Sequence, residues 1–348
     1  MSAPTCELPR VNYEHVTAPE TLHETAIARA AYEARERISS MICATTVARG
    51  GYLSHGQASV WIKDETQQAG GSFKDRGASN AVAYQVAQNG VERVLTASAG
   101  NHGYGVARAA SLLGIESLVF VGASATTEKQ ARIRQRGAEV RVQGRTFDDA
   151  LQFGLEFSEQ FDEQFIAPTD PSVMAGHATM GLELLEQVPD MTHLVLPVGS
   201  GGMLAGVGSV VKEHRDDVQI VAAQVRGCDA FTHSLQTGRA ARNWPVDGRF
   251  EGVAVGTVNP AALKLARRVV DRTIVVEPDS VYETLYQHWQ QTGQWLETAG
   301  AVSPAAARVL AAQLGDTTEA RVVSVASGAN PPGCLEAYVK DKARLHGW

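Results

Sequence analysis

From about residue 58 the chain alternates short apolar runs with amphipathic stretches. Val60–Lys63, Arg93–Thr96, Ser117–Val121, Glu139–Val142, His193–Val198, Gln219–Ala223, Thr273–Val276 and Arg321–Ala326 read as strands. Helical spacing lies between most of them: from about Ser72, then over Gly103–Leu113, Glu128–Arg136, Phe147–Phe161 and Gly176–Glu186. Such steady alternation predicts an α/β fold with parallel-rich twisted sheets flanked by helices. Upstream, Ile27, Ala30, Ala31, Ala34 and Ile38 recur at helical spacing. Thr17 as a cap, Pro19 in the first turn and Glu20 closing a capping box would start that helix.

Length and charge narrow the function classes. A chain of 348 residues buries a sizeable core and suits two domains. The formal net charge of -7 argues against a nucleic-acid surface. The basic runs Gln130–Arg136 and Leu265–Arg272 read as solvated helix faces. Met1–Arg10 has no apolar stretch of signal-peptide type. The longest segment without a charge, Leu194–Val211, holds Pro197 and several glycines, which suit a strand, a tight loop and a helix start rather than a membrane span. Cys6, Cys43, Cys228 and Cys334 form no metal-ligand spacing. Reduced thiols in a cytoplasmic protein are the expectation, with no membrane, nucleic-acid or metal partner.

Three loops carry candidate chemistry. In Ala69-Gly70-Gly71-Ser72-Phe73-Lys74-Asp75-Arg76 two glycines release the chain and a helix begins with a lysine in its first turn. A cation there opposes the helix dipole, which favours the neutral amine that a Schiff-base lysine needs. On this segment alone an exposed surface lysine is the commoner reading. Thr96-Ala97-Ser98-Ala99-Gly100-Asn101-His102-Gly103 follows a strand and opens a helix, so its free N–H groups suit a carboxylate or a phosphate. Its glycine spacing does not fit the dinucleotide pattern. Pro197-Val198-Gly199-Ser200-Gly201-Gly202-Met203 has the form of a phosphate cradle, although close helix–strand packing uses glycine in the same way. A fourth segment, Val325-Ala326-Ser327-Gly328-Ala329-Asn330, ends another strand with a hydroxyl.

In this order the four segments resemble the fold type II (tryptophan-synthase-β-like) family of pyridoxal-phosphate (PLP) enzymes, and within it the threonine/serine dehydratases. Met174-Ala175-Gly176, Phe250-Glu251-Gly252-Val253-Ala254-Val255 and Glu297-Thr298-Ala299-Gly300-Ala301 fit the same pattern. The resemblance implies that Lys74 holds the cofactor and acts in catalysis, and that Phe73 lies against the cofactor ring. Asn101 would bond its phenolic oxygen, and Gly199, Ser200, Gly201, Gly202 and Met203 would hold its phosphate. Ser327 would face the pyridine nitrogen. Ser98, Ala99, Gly100, Asn101 and His102 would receive the substrate carboxylate. The implied reaction is β-elimination from a small β-hydroxy amino acid, threonine, serine or a specialised analogue, giving a 2-keto acid and ammonia. A neutral Ser327 would leave the pyridine nitrogen unprotonated, which suits prompt elimination.

Several positions refine the resemblance. Serine racemases of this fold usually carry a second serine where this chain has Ala99, so a lyase is expected. His177 and Ala178 stand where the family usually shows glutamine and glycine. Helix-start packing and a substrate contact both remain open for His177. Gln224 replaces a glutamate that helps bind a divalent cation in several members, so no metal is expected. Gly71–Arg76 reads more like threonine synthase, which keeps a β- or γ-replacement reaction as the alternative and a non-catalytic fold member as a further one. The chain stops soon after Ser327, which leaves no room for a regulatory domain. The departures leave open a specialised substrate such as 3-hydroxyaspartate or a hydroxyectoine-related compound. By resemblance, residues 1–92 and 171–348 form a large cofactor-binding domain, residues 93–170 form a small mobile domain that closes over the substrate, and the protein is a homodimer.

Overall fold

The computed structural model describes residues 23–348. The Thr17, Pro19 and Glu20 helix start, like Cys6, lies outside the described residues. Strands are β1 (Val47–Arg49), β2 (Ala58–Asp64), β3 (Arg93–Ala97), β4 (Glu116–Val121), β5 (Glu139–Val142), β6 (Gln164–Phe165), β7 (His193–Pro197), β8 (Gln219–Val225), β9 (Arg272–Val276) and β10 (Ala320–Ala326). Helices are α1 (Glu24–Arg37), α2 (Lys74–Asn89), α3 (Asn101–Leu113), α4 (Thr127–Arg134), α5 (Phe147–Phe161), α6 (Pro171–Gln187), α7 (Gly202–His214), α8 (Ala230–Thr237), α9 (Pro260–Val269), α10 (Pro278–Thr292), α11 (Val302–Leu314) and α12 (Leu335–His346). The fold is mixed α/β with parallel-rich sheets flanked by helices.

Two sheets result. One runs β1-β2-β10-β7-β8-β9 and the other β5-β4-β3-β6. Every pairing is parallel except β1 with β2. The interior strands of the larger sheet are mostly apolar and carry helices on both faces, as parallel pairing requires. β10 sits between β2 and β7, so the loops that leave those three strands at their C-terminal ends lie side by side. That edge is where open α/β sheets bind ligands. Ser303 of α11 fixes the spacing of two of the strands: its buried hydroxyl donates to the Val195 carbonyl at 2.8 Å and accepts from the Val325 amide at 3.0 Å.

Some boundaries differ from the sequence reading. Helix α2 begins at Lys74 rather than near Ser72, because Gly71 takes φ +70° and Phe73 is the N-cap. Helix α6 begins at Pro171, with Asp170 accepting from the Ser172 amide, so the Gly176 start is replaced by an ordinary Asp-Pro cap. β1 and β6 are strands of only three and two residues, too short for a period of two to show.

A buried ion network anchors the start of α2. Arg76 donates through Nε and Nη2 to Glu65 at 2.7 and 2.8 Å, and through Nη1 and Nη2 to Glu183 at 2.6 and 2.8 Å. Lys63 of β2 joins it at Glu183 and donates to the Thr45 carbonyl at 2.8 Å. Two cations thus face two carboxylates, and removing one partner would leave a buried charge uncompensated. Burial alone would raise the Glu65 carboxyl, but Arg76 and Lys63 reverse this and hold it below its usual value.

Arg76→Met should leave Glu65 and Glu183 facing Lys63 alone. The expected cost is about 3–5 kcal/mol, read as a lower urea midpoint at unchanged slope. Arg226→Met, which breaks an exposed pair with Glu277, should move the midpoint little. Equal effects of the two variants would contradict the network's role.

Candidate active site

Lys74 is the first residue of α2, and no described residue accepts a hydrogen bond from its amine. It keeps some exposure to the cleft, yet its surroundings are dense. Burial pushes its ammonium down to about 8, while the Glu297 carboxylate works in the opposite direction. The amine lies 4.8 Å from the centre of the Phe73 ring. The next residue, Asp75, turns back into the loop and accepts from the Gly70 amide at 2.7 Å.

The Ser327 segment closes against this loop. The Phe73 amide donates to the Ser327 carbonyl at 3.1 Å and the Ala329 amide to the Gly71 carbonyl at 2.9 Å. Ser327 is buried, and its hydroxyl has only a long contact, 3.5 Å, to the Ala299 carbonyl. Asn330 donates to Asn101 Oδ1 at 2.8 Å, which ties the loop after β10 to the loop after β3. Asn101 in turn donates to both Glu297 oxygens, at 3.1 and 3.0 Å. Burial raises the Glu297 carboxyl above its usual value, although the Asn101 bond works against this. Lys74, Asn101, Glu297, Asn330 and Ser327 therefore meet at one place.

The glycine loop after β7 faces the same cleft. Gly201 takes φ +92°, and a Cβ there would lie 2.4 Å from the Phe231 ring, so glycine is required. Gly202 opens α7, and the site of its missing Cβ is 3.9 Å from His177 Cδ2. Gly199 lies against Gly252 and Val253, and Met203 is buried in the core below. Ser200 is half-buried at the loop surface. The α7 N-terminus presents backbone N–H groups on the Gly199–Gly202 side, and such a backbone cradle suits an anion.

In the loop after β3, Ser98 accepts from the Gly100 amide at 3.2 Å, and Ala99 and Gly100 stay open to the cleft. His102 points away from that opening: its Nε2–H donates to the Ile166 carbonyl at 3.1 Å. Burial, then the Lys74 charge, lowers its pKa to about 3, so the ring is neutral.

Several residues escaped the sequence reading or change it. Glu297 was visible only as part of a motif, without a partner or a role. Asn330 was at the end of a quoted segment. Arg132 does not lie on a solvated face: it sits 4.2 Å over the Tyr104 ring and donates to the Gly70 carbonyl at 2.8 Å, whereas Arg134 is exposed. Gln224 is buried and committed to the backbone, donating to Val198 and Cys228 and accepting from Thr232. Cys43, Cys228 and Cys334 are free thiols.

The arrangement fits PLP on the chain's own evidence. It offers a lysine whose ammonium burial pushes down to about 8, a backbone N–H cradle for a phosphate, and buried polar atoms without partners at His177 and Asp75. Comparisons with known proteins point the same way. The family model described as pyridoxal-phosphate dependent enzyme matches residues 38–328. The L-threonine ammonia-lyase of Thermotoga maritima is 33% identical over 279 residues, covering 79% of this chain and 69% of its own. The catabolic L-threonine dehydratase of Escherichia coli is 29% identical over 301 residues, 86% of this chain and 91% of its own. Among solved structures, the processed form of threonine deaminase isoform 2 from Solanum lycopersicum superposes with a TM-score of 0.86 at 27% identity, covering 94% of this chain and 96% of its own.

With lysine side chains labelled at Cε, the Lys74 resonance of the cofactor-free protein should titrate near pH 8. Surface lysines should titrate near ~10.4. A Lys74 midpoint among the surface values would contradict the burial argument.

Proposed function

We propose, for a chain that belongs to the family of pyridoxal-phosphate dependent enzymes and is a lyase of the threonine-dehydratase type, that its substrate is a small β-hydroxy amino acid such as threonine or serine. The observation that carries the reading is that the Lys74 loop, the Ser327 segment and the Gly199–Gly202 loop follow the C-terminal ends of the adjacent parallel strands β2, β10 and β7. When bound, the cofactor supplies an electron sink for the charge left at the substrate Cα.

The reading assigns each step left to the protein to a residue. Lys74 holds the cofactor, and its amine, when released, takes the Cα proton at Nζ. A neutral amine is required for both tasks, and the lowered pKa supplies it near pH 8. The N–H groups of Gly199–Gly202, with Ser200 and Met203, would hold the phosphate, and Phe73 would lie against the ring. Asn101 orients the phenolic oxygen, and Glu297 and Asn330 hold the Asn101 amide in one orientation. The Ser98, Ala99, Gly100, Asn101 and His102 segment receives the substrate carboxylate. Ser327 would offer the pyridine nitrogen a hydroxyl and no negative charge, which would leave that nitrogen unprotonated and suit elimination over transamination. The product hydrolyses to a 2-keto acid and ammonia.

Closure over the substrate belongs to the unit spanning residues 93–170, which carries the smaller sheet. Arg132 of α4 reaches Gly70 in the Lys74 loop, and Lys129 pairs with Glu251. These two contacts would fasten the unit when it shuts and exclude water from the cleft. A homodimer in the cytoplasm completes the reading. Among the described residues no helix is long and apolar enough to cross a membrane.

Purified protein with PLP should release keto acid steadily from L-threonine or L-serine alone, and Lys74→Ala should abolish the release. Turnover that waits for a second nucleophile would replace the lyase with a β- or γ-replacement enzyme. Keto-acid release undiminished in Lys74→Ala would remove the lysine from the reaction.

A further inference from the structure

His177 is a buried imidazole with nothing to bond. It lies on α6 with no exposed surface, and neither Nδ1 nor Nε2 has a hydrogen-bond partner. A neutral imidazole carries one N–H donor and one lone pair. Leaving a buried donor unsatisfied costs about 1–3 kcal/mol. A polar ring in this position without a protein partner therefore calls for a partner from outside the chain.

Its surroundings say where that partner lies. The ring is packed at 4.8 Å against Phe73, the residue next to Lys74. Its Cε1 edge faces α2, where a Cβ on Gly77 would come within 2.4 Å, so only glycine admits the ring at this depth. Its Cδ2 edge faces α7, 3.9 Å from where a Cβ on Gly202 would stand. Nε2 lies between those two edges. The imidazole is thus wedged between the first turns of α2 and α7, beside the glycine loop whose free amides concentrate positive potential. A group drawn to that potential is an acceptor, and it would fix the tautomer with a proton on the nitrogen that faces it.

We propose that His177 donates a hydrogen bond to the phosphate held at the Gly199–Gly202 loop and is a cofactor-binding residue of this chain. The proposal rests on the PLP reading above and adds a side-chain donor to a cradle otherwise made of backbone. It also resolves the substitution at this position: His177 is neither inert packing nor a substrate contact. Burial, followed by Lys74, His102 and Arg76, holds the ring neutral before the anion arrives. A neutral ring can donate one bond to a phosphate without bringing a further buried charge to the empty site.

The test compares two ligands that differ only by the phosphate. Cofactor-free wild type, His177→Phe and His177→Gln are titrated with PLP and with pyridoxal, and binding is followed by quenching of tryptophan fluorescence. Phenylalanine keeps the ring's bulk, and glutamine keeps a donor. His177→Phe should weaken PLP binding by about ten- to a hundredfold and leave pyridoxal binding unchanged, while His177→Gln should recover most of the loss. The 31P resonance of bound PLP should move in His177→Phe and return in His177→Gln. Equal losses for PLP and pyridoxal, or no loss in His177→Phe, would overturn the proposal and leave the PLP reading intact. Failure of wild type to bind PLP would overturn both.

Discussion

Two residues beyond Lys74, the Arg76 guanidinium is divided between Glu65 and Glu183, with Thr179 bonded to its Nη1 at 3.1 Å. Glu65 follows β2, Glu183 lies on α6 and Lys63 lies in β2 itself, so one planar cation joins the first turn of α2 to a strand and a neighbouring helix. A lysine could not replace it, because only the guanidinium presents paired donors to two carboxylates at once. The position of Lys74 follows from this bond set. The helix cannot shift by a turn without exposing two carboxylates that are matched by two buried cations. Arg76 donates, Glu65 is held ionised, and the reactive amine two residues earlier is left without an acceptor.

That last consequence sets the chemistry. Burial also pushes the Lys63 ammonium down, but there the paired Glu183 and nearby Glu65 carboxylates work in the opposite direction. Lys74 has instead a carboxyl, Glu297, engaged by Asn101, and burial that outweighs Glu297's pull. The same polar group thereby orients Asn101 and leaves the amine free to lose its proton near pH 8. On the opposite wall the glycine loop presents backbone donors, and on the third side Ser327 presents a neutral oxygen. The proposed lysine, anion cradle and ring-nitrogen partner each follow a different strand end, and strand order brings those ends together.

Much of this was legible in the sequence, for a local reason. A parallel strand that ends in glycine and hydroxyl residues before a helix declares itself over about ten residues, so the Lys74, Asn101, Gly199 and Ser327 loops could all be read. The α/β class followed from the alternation. What could not be read depends on distance along the chain. Asn101 and Glu297 are 196 residues apart, and Arg76 and Glu183 are 107 apart. No periodicity joins such pairs. The Arg132 stack on Tyr104 failed for another reason: a run of charged residues says nothing about which of them turns inward. The α6 start was present in the sequence as Asp170-Pro171 and lost to the stronger apolar pattern that follows it.

The account stands on Lys74 being the residue that holds the cofactor. Wild-type protein loaded with PLP, reduced with borohydride and digested should yield one modified peptide, with the pyridoxyl group on Lys74. Label on any other lysine, or reduction that leaves Lys74 unmodified while the cofactor remains bound, would contradict the account.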